Sequence, residues 1–362
     1  MKSKAATALA LGLGSLLASG LGEAVLRVLA PQATGPVWFA QDPVLGDLPV
    51  PSEHGERSLP GIYRFSFTHD SQGRRVVPAA AGVAWGRTVL VLGDSFTYGL
   101  GVDDDETFCN RLQESLGPAV RVVNAGNPAK GTDYALRFFL AHGKDLRPDR
   151  VLLAFTKNDF GDNARGTYFS STPGGALEPR PLRDTRSARR RLLEHVPGVG
   201  ALLSHSHLVN FLRQTAILLS VDRSRPGQPV FGPRDDGPPA PRWVDPRREE
   251  VTRRYLAALR DAVEAGGASF AVAYLPDARD CWLARQGRPL SPDEAAFRTI
   301  AAGLGLRSFS LTPALAASPE PLERLYFGEG HWTAAAHGLA ARVMQEEVGG
   351  ADLQRGFPGA GP

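Results

Sequence analysis

The stretch Thr88-Val89-Leu90-Val91-Leu92-Gly93-Asp94-Ser95-Phe96-Thr97-Tyr98-Gly99 decides the fold. Its first five residues form an almost unbroken apolar, β-branched run. That is the pattern of a strand covered on both faces rather than one. Gly93 ends the run, and Asp94 and Ser95 stand where a helix would start. Outward from this stretch the theme recurs. Val120-Arg121-Val122-Val123, Val151-Leu152-Leu153-Ala154-Phe155 and Phe270-Ala271-Val272-Ala273-Tyr274 are further strand candidates. The segments between them carry helical periodicity. Residues 104–116 put Phe108, Leu112 and Leu116 on one stripe, and residues 133–142 and 249–265 are similar. Strands alternating with helices predict a parallel α/β sheet joined by right-handed crossovers.

The N-terminus reads differently. Met1-Lys2-Ser3-Lys4 is a basic flank, and residues 5–22 carry no charge before Glu23 and Arg27. This is the pattern of a signal peptide or an uncleaved signal-anchor, with the lysines inside and the rest of the chain exported. Ala18-Ser19-Gly20 offers a small-residue cleavage site. The expected product is anchored in the inner membrane and faces the periplasm or another extracytoplasmic space, or is secreted if the signal is cut. A buried core helix is the alternative reading of the segment.

Composition excludes several classes. Lys+Arg 41 against Asp+Glu 38 leaves a net charge of only +3, too little for an electrostatically driven nucleic-acid binder. Two cysteines exclude a disulfide scaffold and a four-cysteine zinc site. After export, Cys109 and Cys281 either pair or stay as two separate buried thiols. His54, His69, His142, His195, His205 and His207 show no zinc-site grouping, so neither a metal nor another cofactor is expected.

Ligands in open α/β sheets bind at the carboxyl ends of the strands, and the informative residues fall there. Ser95 follows the first strand. Val123-Asn124-Ala125-Gly126 closes the second, and Thr156-Lys157-Asn158-Asp159 follows the third. Gly328-Glu329-Gly330-His331-Trp332-Thr333 opens a last helix. Together these resemble the SGNH/GDSL hydrolase family. GDSFTYG matches its first block, VVNAGNPAKGT looks like the second, TKNDF the third and GEGHWTAAAHGLAA the last, in order, over roughly 86–345. FTHDSQGRR and GEAVLRVLAP also look like the lead-in of bacterial membrane-anchored members.

The resemblance implies a three-layer α/β/α sandwich with a mainly parallel, flavodoxin-like sheet of about five strands. It implies Ser95 as nucleophile and His331 as the base that takes its proton. An oxyanion hole would come from the Ser95 amide, a block-two amide and the Asn158 side chain. Three departures stand out. The block-two glycine position holds Ala129, with Gly131 as the nearby alternative donor. The block-three glycine is replaced by Thr156. The usual triad aspartate, three residues before the histidine, is Gly328. Glu329 lies two before, the spacing of some members including polysaccharide O-acetyltransferases, and is the candidate acid that fixes the histidine tautomer. Asp94 reads as shaping the turn and His337 as structural. Lys157 is read as a surface lysine, with steering of an anionic substrate as the alternative.

The expected organisation is a targeting segment over 1–30, a lead-in over 31–85, the catalytic domain over 86–350 and a flexible tail over 351–362. An insertion at about 165–245 holds a run of arginines (Arg180, Arg183, Arg186, Arg189, Arg190 and Arg191), a helix around 208–219 and a Pro-rich stretch over 226–246. The arginines read as a solvated face, with an acidic polymer or lipid head groups as the alternative. The expected function is a serine-dependent acyl-ester hydrolase, an esterase or carbohydrate deacetylase working through an acyl-Ser95 intermediate. Its substrate would be an acylated small molecule, saccharide or lipid ester. One alternative is an O-acyltransferase moving an acetyl group onto envelope or secreted polysaccharide. Another is a catalytically impaired binding module.

Overall fold

The computed structural model describes residues 2–32, 39–59, 61–82, 86–172, 176–182, 205–220 and 246–348. The Pro-rich stretch up to residue 245, the arginines from 183 to 191 and the tail over 351–362 lie outside the described residues. The described chain separates into two units, a smaller one built on two helices and a larger one built on a sheet.

The chain leads in through two two-stranded sheets, β1 (Phe39–Asp42) with β2 (Gly46–Pro49) and β3 (His54–Leu59) with β4 (Tyr63–Thr68). The main sheet consists of β5 (Arg87–Gly93), β6 (Val120–Gly126), β7 (Arg150–Phe155), β10 (Ser269–Tyr274) and β11 (Ser308–Ser310). A small antiparallel pair, β8 (Phe169–Ser171) and β9 (Leu177–Pro179), lies between them in sequence. The main sheet is parallel throughout, in the order β11-β10-β7-β5-β6. The chain steps from β5 outward to β6 and then crosses back to β7. The sheet therefore has its topological switch point at β5, where such folds bind their ligands. Gly93 pairs with Gly126 on one side and with Ala154 on the other, so three strands end level there.

The helices in chain order are α1 (Lys2–Leu29), α2 (Ser95–Tyr98), α3 (Phe108–Leu116), α4 (Thr132–Phe138), α5 (Asn158–Ala164), α6 (His207–Ser220), α7 (Pro246–Ala265), α8 (Ala278–Arg285), α9 (Pro292–Gly303), α10 (Thr312–Ala316), α11 (Leu322–Leu325) and α12 (Ala334–Val348). Alternation along the strands builds two cores. Leu90, Leu92, Val123, Leu153 and Phe155 face one way and pack on α4, α5, α7 and α9. Val89, Val91, Val122, Leu152 and Ala154 face the other way and pack on α3, α8, α10, α11 and α12. Both faces are covered, which is why the strands read as continuous apolar runs. The result is the expected three-layer α/β/α sandwich with five parallel strands.

Two local outcomes differ from the sequence reading, and a third decides between the two alternatives it left open for the cysteines. The helix expected from residue 104 begins as a 3-10 turn (Asp104–Glu106), and α3 starts only after Thr107. The Thr107 hydroxyl accepts from the Asn110 amide and caps α3. Strand β11 has only three residues, pairs on one side, and was not singled out. Cys109 and Cys281 do not pair. They are separate buried thiols, and burial pushes the Cys281 thiol up to about 12.

The lead-in is tied to the segment that follows α2 by Arg75. Its side chain is fully buried, with Nε 2.6 Å from Asp104 Oδ1. Its other nitrogens donate to the carbonyls of Ser66 (2.8 Å), Gly99 (2.7 Å) and Val102 (2.7 Å). The guanidinium also lies over the rings of Phe65 and Tyr98.

Candidate active site

Ser95 is the first residue of α2 and stands at the switch point of the sheet. The turn from β5 into α2 is made by Asp94, whose carboxylate accepts from the Phe96 amide at 2.8 Å. Close packing demands glycine on either side of this turn. A Cβ on Gly93 would lie 2.2 Å from Thr97 Oγ1 and 2.9 Å from the Ala154 carbonyl. A Cβ on Gly126 would lie 2.2 Å from the Tyr98 amide nitrogen. The serine turn is thus seated directly on the ends of β6 and β7.

His331 arrives from the far end of the chain on a tight turn. The Phe327 amide donates to the His331 carbonyl and the Gly330 amide to the Phe327 carbonyl, each at 2.8 Å. Gly330 takes φ +106°, a conformation that favours glycine. Trp332 anchors this turn. It is fully buried, its indole nitrogen donates to the Pro276 carbonyl at 3.3 Å, and it meets Phe96 edge-to-face. So held, His331 places Nε2 2.8 Å from Ser95 Oγ. Its Nδ1 lies 3.0 Å from Glu329 Oε1, while Glu329 Oε2 accepts from the His331 amide at 2.7 Å. A carboxylate only accepts, so the ring proton belongs on Nδ1 and the Nε2 lone pair faces the serine hydroxyl.

Asn158 opens α5 at the end of β7, and its Nδ2 donates to Asp94 Oδ2 at 3.2 Å. The same oxygen accepts from the Thr156 hydroxyl at 2.9 Å. Behind it lies Asp159, which accepts from the Thr156 amide (2.9 Å) and the Thr132 hydroxyl (2.7 Å). Burial raises the Asp94 carboxyl above the usual range, opposed by these hydrogen bonds. Burial and the neighbouring Asp94 push Asp159 well above it. The sequence reads Asp94 as shaping the turn and Thr156 only as the replacement of the block-three glycine. The structure joins both to Asn158, a link between strand ends that no local pattern signals. Lys157 is ion-paired with Asp277. Among the described residues, no group of three or more His, Cys, Asp or Glu side chains is placed to hold a metal ion.

The model of the GDSL-like lipase/acylhydrolase family matches residues 91–295, which is more than half of the chain. The chain belongs to this GDSL family. It is by family an acyl-ester hydrolase of the serine esterase type. No curated protein matches it. It is similar to the solved structure of TesA at 16% identity, over 74% of this chain and 99% of that one, with a TM-score of 0.40. A lipase/acylhydrolase from Enterococcus faecalis is similar at 13% identity, over 73% and 96% of the two chains, with a TM-score of 0.40. A catalytic mutant of the acetylxylan esterase Axe2 from Geobacillus stearothermophilus is similar at 12% identity, over 76% and 99%, with a TM-score of 0.41.

The family match ends before His331, so it is the fold that brings the last block of this GDSL chain to the first. The block-two departure also has a structural sequel. Ala129 has φ +59°, the left-handed conformation that a glycine adopts without strain. Gly131 instead has φ −106° as the N-cap of α4. A Cβ there would lie 2.9 Å from the Asp162 Cβ, so packing on α5 is what requires that glycine. Between them, the Lys130 ammonium sits over the rings of Tyr134 and Tyr168. His337 stands apart from the serine. It is buried, stacks on Phe108, and accepts from the Phe108 amide through Nδ1 at 3.1 Å.

Proposed function

We propose that this GDSL protein hydrolyses acyl esters outside the cytoplasm through an acyl-Ser95 intermediate, with acetylated saccharides as the substrate class. The observation that carries the reading is the 2.8 Å contact of Ser95 Oγ with His331 Nε2, with Glu329 on the opposite ring nitrogen at 3.0 Å. As Oγ attacks the ester carbonyl, its proton passes to Nε2 and Glu329 stabilises the imidazolium. The oxyanion is met by the Ser95 amide, by the Asn158 Nδ2 hydrogen not given to Asp94, and by the amide of Ala129 or Gly131. The proton on Nε2 then goes to the leaving alkoxide, which departs as the alcohol. Water repeats the cycle, giving its proton to Nε2 and its oxygen to the acyl carbon, and Ser95 is restored. Asp94 acts as a positioning residue, since it aims the Asn158 amide. The apolar, unburied α1 supports action on the outer side of a membrane, where acylated saccharides of the envelope lie.

The test is labelling with a fluorophosphonate probe, together with acetate release from acetylated oligosaccharides and p-nitrophenyl acetate. Wild type should label and turn over, and Ser95→Ala should do neither. Loss of neither signal in Ser95→Ala overturns the reading. Acetate loss only when a saccharide acceptor is added assigns O-acyl transfer instead.

A further inference from the structure

The smaller unit contains an arrangement that the ester chemistry does not use. Helix α1 holds a 20-residue apolar stretch, Ala10–Leu29, with mean hydropathy 1.3 and none of it buried. Leu11, Leu16, Leu17, Leu21, Val28 and Leu29 are exposed and point to all sides of the helix. The stretch is about 30 Å long, the thickness of a hydrocarbon core. Glu23 interrupts it, about 9 Å before its end at 1.5 Å per residue. A carboxylate at that depth is costly unless it is paired.

Glu23 is paired by a second helix. Its Oε2 accepts from the Ser206 hydroxyl and the Leu208 amide, each at 2.8 Å. Its Oε1 accepts from the His207 amide at 3.0 Å and from Arg27 at 2.8 Å. Three of these four donors belong to the start of α6. Just past the end of α1, the Gln32 amide donates to His207 Nδ1 at 2.8 Å. The helices touch at Gly22, where even a Cβ would meet the Leu208 methyls at an ordinary contact distance of 3.7 Å. Helix α6 itself has no acidic residue and one arginine over 14 residues. Its sequence sets Leu208, Phe211, Leu212, Thr215, Leu218 and Leu219 at i, i+3, i+4, i+7, i+10 and i+11. Phe211 and Leu212 stand exposed.

We propose that α6 is a second membrane element, seated in the outer leaflet against α1 and tethered there by Glu23. The occupant of its open apolar face is lipid, because that face continues the surface α1 offers to the bilayer and bears no acidic charge. The proposal rests on the reading of α1 as an uncleaved anchor.

The test uses single-cysteine variants of the full chain, spin-labelled in phosphatidylcholine/phosphatidylglycerol vesicles. Native Cys109 and Cys281 are fully buried and give the background. Oxygen-to-nickel accessibility ratios are read at Leu16→Cys, at Leu212→Cys and at the exposed Glu323→Cys as aqueous control. Leu16 and Leu212 should both give ratios several-fold above Glu323. Adding Glu23→Ala should return Leu212 toward the control and leave Leu16 unchanged. A high ratio at Leu16 with a control value at Leu212 overturns the inference while the anchor stands. Control values at both sites overturn the anchor and the inference together. A label at Leu212 shielded from both reagents assigns a protein partner, or a second copy, instead of lipid. A ratio that stays high in Glu23→Ala removes the tether.

Discussion

Glu329 occupies the position where the sequence pattern breaks, and a glutamate two residues before the histidine reaches its ring by folding back over one turn. Both carboxylate oxygens are used, one on the ring and one on the His331 amide. Exchange to Gln keeps the shape and removes the charge that favours the Nδ1-protonated ring. Glu329→Gln should therefore lower kcat by roughly 10²-fold with KM little changed, read from p-nitrophenyl acetate kinetics. A variant within about twofold of wild type would reduce the site to a Ser–His dyad. Ala129 is a second exception at this scale. Its left-handed backbone costs about 1–2 kcal/mol, and glycine gives back about 0.5–1 kcal/mol through the freer unfolded chain. Ala129→Gly should raise stability by about 0.5–1 kcal/mol in urea unfolding. Ser95, His331 and Asn158 were legible from their blocks. The coupling of Asn158 to Asp94 and Thr156 was not, because it joins the ends of two different strands.

At the scale of elements, legibility followed burial. β5, β6, β7 and β10 are covered on both faces, so each announces itself as a run of Val, Leu, Ala and Phe. β11 is Ser-Phe-Ser at the sheet edge, too short and too polar to stand out. The short α2 carries no periodicity at all and is fixed by Asp94 and the glycines around it. Arg75 shows why the lead-in could be read only as short strands. Its partners come from residues 66, 99, 102 and 104, which only the fold assembles. Arg75→Met removes the buried charge, leaves Asp104 Oδ1 with only the long 3.3 Å bond from the Thr68 amide, and takes the guanidinium donors from the Ser66, Gly99 and Val102 carbonyls. Breaking such a buried pair from one side costs about 3–5 kcal/mol. The melting temperature should fall by on the order of 10 °C. Its loss should also loosen the loop that follows the serine turn. A shift of only one or two degrees in thermal unfolding would show that water replaces the guanidinium without penalty.

Across the whole molecule, the site exists because the first and last strand-end blocks are clamped together by the layer that holds α3 and α12. His337 is part of that clamp. It reaches from α12 to the Phe108 amide at the start of α3, and it does so as a neutral acceptor. Burial, with Arg75 and His331 adding repulsion, pushes its imidazole from the usual 6.5 down to about 3. Between those values the unfolded chain binds a proton that the folded chain refuses. Stability from this group is therefore complete above about pH 6.5 and is lost as pH falls, by up to about 1.4 kcal/mol per pH unit. Buried acids act the other way. Asp133, raised by burial to about 7, keeps a proton that the unfolded chain releases, so its contribution shrinks as pH rises. The net profile mixes the two, and the difference between wild type and His337→Asn separates them. The Asn side-chain oxygen can still accept from Phe108 but does not titrate. Relative to wild type, the variant should gain about 2–3 kcal/mol between about pH 7 and about pH 4.5 in urea unfolding. A pH-independent difference would mean that the imidazole is reached by water and charges freely within the clamp.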